Sequence, residues 1–321
     1  MTIPTLQVRV RQVTWEAEDI SSFEFVSPKG DELPSFSAGS HVDVHLPGGM
    51  VRQYSLCNPP TERHRYVVAV LNEKSGRGGS RSMHQNVRPG DLITISAPRN
   101  NFPLHPEAGR HLLIAGGIGI TPLLAMVHQL NAIGANYELY YCTRTPEKTA
   151  FRDALARIAG TRVHLHHDGG DPSRGLDLKA LLWTHEMGTH VYCCGPTGLM
   201  SAVKTAAAHW PQSNVHYEYF APLAAPAGTA PASVDDTFEV RLAKSGKTFT
   251  VTPDKSILQA LRDAGGDQDS SCESGTCGTC ATVYLEGEPD HRDYVLGDDE
   301  HKKFIMVCVS RCKSPVLVLD L

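Results

Sequence analysis

Three cysteines within nine residues, Cys272, Cys277 and Cys280, are followed after 27 further residues by Cys308. The Cys-x4-Cys-x2-Cys…Cys pattern is the spacing of plant-type 2Fe-2S sites, in which four thiolates converge on two irons. Gly275 and Gly278 lie inside the loop, where a backbone without Cβ can turn its N–H groups toward sulfur. Zinc is the rival ligand, but zinc motifs usually pair two short Cys-x2-4-Cys knuckles, and one is present here. Cys312 is a fifth thiol nearby; it reads as a spare side chain near a strand end, because Cys308 already has the required position. The chain has nine cysteines in all, and their clustering favours ligation over a disulfide framework.

Upstream, the apolar run His111-Leu112-Leu113-Ile114-Ala115 enters Gly116-Gly117-Ile118-Gly119-Ile120-Thr121-Pro122 and then an apolar helical stretch. Strand, glycine turn and helix in that order make a phosphate cradle, with the pyrophosphate at the helix N-terminus. Gly117, Gly119, Thr121 and Pro122 are its candidate contacts. A second turn, Cys193-Cys194-Gly195-Pro196-Thr197-Gly198, closes a later strand and belongs beside the first at the mouth of a cleft. Cys194, Gly195 and Pro196 are candidate nucleotide contacts there, although a free cysteine is also a common small core residue.

Periodicity divides the chain in three. From residue 6 to about 97, short alternating runs such as Leu6-Val8-Val10 and Val42-Val44-Leu46 are separated by Pro- and Gly-rich turns, which predicts an antiparallel barrel. From about 107 to 221, four strand candidates alternate with helices at 121–132, 150–158 and 198–208, which predicts a parallel sheet. An uncharged Ala- and Pro-rich stretch, 221–233, reads as a linker. After it come a hairpin around Ser245-Gly246 and a helical stripe at Ile257, Leu258, Ala260, Leu261 and Ala264.

Within the barrel region, Arg52 offers a fork for phosphate, Tyr54 a flat aromatic face and Ser55 a hydroxyl, and Gly76-Arg77-Gly78-Gly79-Ser80 a row of N–H donors. The net charge of −5 gives no basic excess for nucleic acid or anionic lipid. No apolar run is long enough for a membrane span, and the start Met1-Thr2-Ile3-Pro4 lacks the features of a secretory signal, so a cytoplasmic location is expected.

Taken in order, these motifs resemble the ferredoxin-reductase-like flavoenzyme family, in the branch of the phthalate dioxygenase reductases. Arg52-Gln53-Tyr54-Ser55-Leu56-Cys57-Asn58, Gly76 to Ser80, Gly116 to Pro122, Thr149-Ala150-Phe151, Tyr192 to Pro196, Ser271 to Gly278 and Met306 to Ser310 carry the likeness over nearly the whole chain.

The resemblance implies an FMN-binding β-barrel domain over 1–104, an NAD-binding α/β domain over 105–221, a linker at 222–233 and an α+β (β-grasp) ferredoxin domain over 234–321. It implies FMN contacts from Arg52, Tyr54, Ser55, Ala69, Val70, Leu71, Arg77, Gly78, Gly79 and Ser80. Thr121 and Phe220 would approach the flavin, and Tyr219 stands where such proteins commonly have serine. Ser55, for a hydrogen bond to flavin N5, and Cys194, at the nicotinamide, are the candidate catalytic positions; Cys272, Cys277, Cys280 and Cys308 are the metal ligands. NADH is expected over NADPH, although Arg144 could clasp a 2′-phosphate. A hydride carries two electrons and a 2Fe-2S cluster takes one, so flavin is the needed converter and no general acid or base is posited. The partner implied is a Rieske-type aromatic-ring oxygenase, acting on an aromatic carboxylate; an O-demethylase, an amine monooxygenase or another acceptor is the alternative.

Overall fold

In the computed structural model, residues 4–220, 237–270 and 272–321 are described. They form two units, Ile3–Glu218 and Tyr219–Leu321. The 222–233 linker expected from the sequence lies outside the described residues.

Alternation sets the first sheet. Along β1 (Thr5–Ala17), Val8 and Val10 are buried while Gln7 and Arg9 face solvent, the period of a strand with one face on a core. With β2 (Ile20–Val26), β3 (Ser40–His45), β4 (Val51–Ser55), β5 (Tyr66–Leu71) and β6 (Leu92–Ser96), it makes an antiparallel sheet in the order β4-β3-β6-β1-β2-β5, and the short β7 (Arg99–Asn100) pairs with β3. A bridge between Leu56 and Val68, with Cys57 N–H donating to Val67 O at 2.9 Å, joins the end of β4 to β5 and closes the barrel. Phe23, Phe25, Tyr66 and Met83 fill it. Met83 comes from a short helix, α1 (Gly79–Asn86).

The second sheet is wholly parallel: β8 (Arg110–Gly116), β9 (Tyr137–Thr143), β10 (Val163–His167), β11 (Thr189–Cys194) and β12 (Val215–Glu218), in the order β10-β9-β8-β11-β12. Helices α2 (Ile120–Ala132), α3 (Arg152–Ala159), α4 (Leu178–Leu181) and α5 (Thr197–Ala206) connect the strands. The chain reverses its direction of travel across the sheet between β8 and β11, which puts a crevice at their carboxyl ends. Both expected glycine turns are there. The barrel and this sheet share one core, in which Ala38, Cys57 and Phe102 pack with Ile120, Leu123 and Tyr192.

The second unit is a mixed sheet, β14-β13-β19-β15-β17, from β13 (Phe238–Leu242), β14 (Thr248–Val251), β15 (Ala281–Glu286), β17 (Phe304–Met306) and β19 (Val316–Leu319). The helix α6 (Ile257–Asp263) buries Ile257, Leu258 and Leu261 against it. Ser256 and Gln259 form a capping box at its start, which satisfies two otherwise orphaned N–H groups. A small ribbon of β16 (Pro289–Asp290) and β18 (Arg311–Cys312) and a turn of helix, α7 (Asp298–His301), complete the β-grasp arrangement. Among the described residues no helix is long and apolar enough to cross a membrane.

Candidate redox sites

The two glycine turns at the crevice are locked together. A Cβ on Gly119 would lie 2.2 Å from the carbonyl oxygen of Cys194, and one on Gly116 would lie 2.6 Å from Pro196 Cδ. The missing side chains at Gly116 and Gly119 therefore make room for the neighbouring turn, not for a ligand. Gly117 differs: its φ is +52° and a Cβ there would meet nothing within 4 Å. It is the position whose backbone is open to an approaching pyrophosphate. Thr121 and Pro122 lie in the first turn of α2, both buried, and the Thr121 hydroxyl donates to Ile118 O at 3.1 Å.

Where the barrel meets the crevice, Ser55 Oγ at the end of β4 donates to Glu218 Oε2 at the end of β12, at 3.2 Å. In the β11–β12 register Glu218 pairs with Cys194, so three polar groups from two sheets meet at one point. Burial pushes the Glu218 carboxyl up to about 8 against the lowering effect of the Ser55 hydrogen bond. It is a neutral acid at pH 7. Burial, then Glu218 and Cys193, push the Cys194 thiol well up, so it is a protonated packing group and not a thiolate nucleophile.

At the other end of β4, Arg52 donates to Arg77 O at 3.3 Å and its side chain lies against Gly79, where a Cβ would be 2.4 Å from Arg52 Cγ. Gly78, with φ +87°, starts α1 without a side-chain cap. An arginine beside an uncapped helix start is the donor set an anionic phosphate requires. Arg77, Gly79 and Ser80 belong to the same turn, and Ser80 Oγ accepts from Glu73 N–H at 3.1 Å. Burial pushes the Tyr54 phenol up, so it stays neutral. On β5, Val70 faces the barrel core and its carbonyl is within 2.9 Å of His84 Nε2, while Ala69 and Leu71 face outward to pack near Ile118 and Ala150. Phe220 belongs to the second unit and is exposed.

In that second unit Cys272, Cys277, Cys280 and Cys308 are all buried. The thiols pair by hydrogen bonding, Cys272 with Cys277 and Cys280 with Cys308. Ser274 N–H points at Cys272 Sγ, 3.4 Å away. The loop needs left-handed backbone at Glu273, Gly275 and Gly278, and at Gly275 a Cβ would sit 2.7 Å from Val309 Cγ2. Hydrogen bonding to Cys308 and then burial push the Cys280 thiol up. Four buried thiols of this kind ionise together only around bound cations, so the donor set fits a cluster. Cys312 is elsewhere: its Sγ lies on Glu288 O and Ser314 Oγ, at 3.4 and 3.1 Å.

Residues 240–313 match the model of the 2Fe-2S iron-sulfur cluster binding domain, and residues 93–215 match that of the dimethylamine monooxygenase subunit DmmA-like N-terminal domain. Phthalate dioxygenase reductase of Burkholderia cepacia is 47% identical over 318 residues, covering 98% of this chain and 97% of the relative. The chain belongs to the phthalate dioxygenase reductase family. A solved structure of phthalate dioxygenase reductase, described as modular for electron transfer from pyridine nucleotides to 2Fe-2S, matches with a TM-score of 0.76 over 99% of this chain and 98% of that one. A further relative, the tert-butanol monooxygenase/tert-amyl alcohol desaturase reductase subunit of Aquincola tertiaricarbonis, is 47% identical over 98% of this chain and 96% of its own length.

As a member of the phthalate dioxygenase reductase family the chain is an oxidoreductase with a 2Fe-2S domain. One residue of this junction, Glu218, is not among those the sequence singles out. Glu218 lies in β12, a four-residue strand read as part of the chain's exit from the nucleotide domain. An acid at the end of the last strand of a parallel sheet is the available signal. The glycine stretch expected as a loop, Gly76 to Ser80, runs into α1, whose first two residues are Gly79 and Ser80.

Proposed function

We propose that the chain is the reductase component of an oxygenase system, oxidising NADH and passing electrons singly to its partner. The observation that carries this is the meeting of Ser55 from the barrel with Cys194 and Glu218 from the parallel sheet, at the switch-point crevice. When bound, FMN would take the hydride's two electrons and release them one at a time to the 2Fe-2S cluster. Arg52 and the start of α1, from Gly78 to Ser80, would hold its phosphate; Tyr54, Ser55, Ala69, Leu71 and the Val70 backbone would line its ring. Gly117 and the start of α2 would hold the NADH pyrophosphate, with Gly195 and Pro196 opposite. Cys194 and the neutral Glu218 would border the nicotinamide without placing a buried charge there. Ser55 is held at the junction; with FMN bound its hydroxyl would accept from the neutral Glu218 in place of donating to it, which would leave its own proton for flavin N5. Cys272, Cys277, Cys280 and Cys308 would ligate the cluster.

The proposed acceptor is a Rieske-type aromatic-ring oxygenase acting on an aromatic carboxylate, a reading supported by the relative named a phthalate dioxygenase reductase. A second reading, an amine monooxygenase, is favoured by the match of residues 93–215 to a dimethylamine monooxygenase subunit. Product formed per NADH, measured with a purified oxygenase of each class, decides. Coupled turnover with the Rieske oxygenase supports the first reading, and coupling confined to the amine enzyme replaces it.

The proposed functional division is 1–104 for FMN, 105–221 for NADH and 234–321 for the cluster. The gap between β7, ending at Asn100, and β8, starting at Arg110, supports the first boundary. A cytoplasmic location is proposed from the use of NADH and from nine cysteines of which none is in a disulfide.

A further inference from the structure

Beside the cluster loop, three side chains that the electron-transfer reading leaves unused come together. His291 and Asp293 follow β16, and His301 ends α7. The ligating atoms of all three lie within 4.8 Å of one another. Asp293 Oδ1 is 3.1 Å from His301 Nε2, and the Asp293 side chain is fully buried while that of His301 is 24% exposed. The His291 ring stacks on the His301 ring at 4.0 Å between centroids. His291 Nδ1 is buried and has no hydrogen-bond partner among the described residues.

We propose that His291, Asp293 and His301 form a binding site for one divalent transition-metal ion of zinc-like preference. Two imidazole nitrogens and one carboxylate oxygen are the donor set of such ions, whereas calcium and magnesium require oxygen ligands. Zinc sits about 2.0–2.2 Å from such ligands, so two of them on one ion lie roughly 3–4 Å apart. Asp293 and His301 already have that separation, and His291 has only to close in. The carboxylate is aimed by backbone: Asp293 Oδ2 accepts from Leu296 N–H at 2.9 Å and from Val295 N–H at 3.3 Å. The backbone of His301 is anchored by Tyr284 Oη, which donates to its carbonyl at 3.1 Å. Outer contacts of this kind hold ligands in place before the ion arrives. Three protein ligands leave a position for water.

The site also touches the cluster loop. Asp293 Cα lies 3.2 Å from where a Cβ on Gly275 would be, and Tyr294 N–H donates to Gly275 O at 3.0 Å. An ion joining Asp293 to α7 therefore braces the segment against which the loop is folded. Without an ion the same residues would be a histidine–carboxylate clamp.

The test uses the full chain with its cluster intact, freed of loose metal by a chelator and checked by visible absorption. Zinc titration calorimetry and elemental analysis after gel filtration should give one zinc per chain in addition to cluster iron. His291→Gln and His301→Gln should each weaken zinc binding by more than the roughly 10-fold typical of losing an outer-sphere contact, with iron content unchanged. Cobalt should give a nitrogen/oxygen-ligand spectrum without thiolate charge-transfer bands. In the wild-type chain, zinc should shield His301 from diethyl pyrocarbonate, a readout that holds even if a variant loses iron. The proposal is overturned if the wild type binds no zinc, if the chain carrying both His291→Gln and His301→Gln binds it as tightly, or if zinc leaves His301 unshielded.

Discussion

Ser55 Oγ and Glu218 Oε2, 163 residues apart in the chain, are 3.2 Å apart in the fold. The contact joins the strand end that would face flavin to the strand end that would face nicotinamide, so loss of either group should slow hydride transfer more than it weakens NADH binding. Removing one preorganised donor typically costs on the order of 10²-fold in rate. Ser55→Ala should lower the anaerobic rate of flavin reduction by about that factor in stopped flow, with the NADH Kd changed only severalfold. A loss confined to Kd would place Ser55 in binding alone.

The same pair sets a dependence of stability on pH. Glu218 titrates at about 8 in the fold against an ordinary value of 4.5, because burial disfavours its anion. Between those values the unfolded chain gives up a proton that the folded chain keeps, so the Glu218 contribution falls as pH rises from 4.5 to 8. His41, His111 and His216 act in the opposite direction: burial first, then neighbouring charge, brings each to about 4 from 6.5. Their contribution is complete above pH 6.5 and is lost as pH falls toward 4. Tm should therefore peak near pH 6.5, and Glu218→Gln should flatten the alkaline side while steepening the rise between pH 4.5 and 6.5. An unchanged alkaline slope in that variant would contradict the neutral-acid assignment.

Gly117 and Gly119 should respond differently to alanine. At Gly119 a Cβ meets the Cys194 carbonyl at 2.2 Å, and separating the turns is the only relief. Gly119→Ala should lower Tm clearly and abolish NADH oxidation. At Gly117 the space is open, and the cost is about 1–2 kcal/mol of left-handed backbone. Thermal melts of the two variants check the order, which the opposite ranking would refute.

How far this was legible from sequence depends on how many strands a feature needs. The barrel strands were readable because Val8, Val10, Val42 and Val44 alternate with polar neighbours over a single core. The glycine turns were readable as a phosphate cradle, but the interlock of Gly119 with Cys194 was not, because it joins turns 75 residues apart. Glu218 was missed because β12 is short and its residues are all half-buried, leaving no period to read. The cysteine ligands were readable because thiol chemistry constrains spacing directly.

Cys308 and Cys312 should be separable. Cys308 hydrogen-bonds Cys280 within the thiol set, while Cys312 lies on Glu288 O and Ser314. Cys308→Ser should lose the cluster and electron delivery to the oxygenase yet keep NADH-to-dye activity. Cys312→Ser should keep full iron content and the reduced-cluster EPR signal; the reverse pattern would move the fourth ligand.

The most direct test of the electron-transfer account is an anaerobic NADH titration of the purified chain, with the acid-released flavin identified by chromatography and iron and sulfide determined on the same sample. The account predicts FMN, two irons and two sulfides per chain, bleaching of the flavin band by NADH, and an EPR signal from a reduced 2Fe-2S cluster. FAD as the main flavin would contradict the Arg52 and α1 phosphate site, and a cluster that stays oxidised while NADH bleaches the flavin would contradict the proposed path.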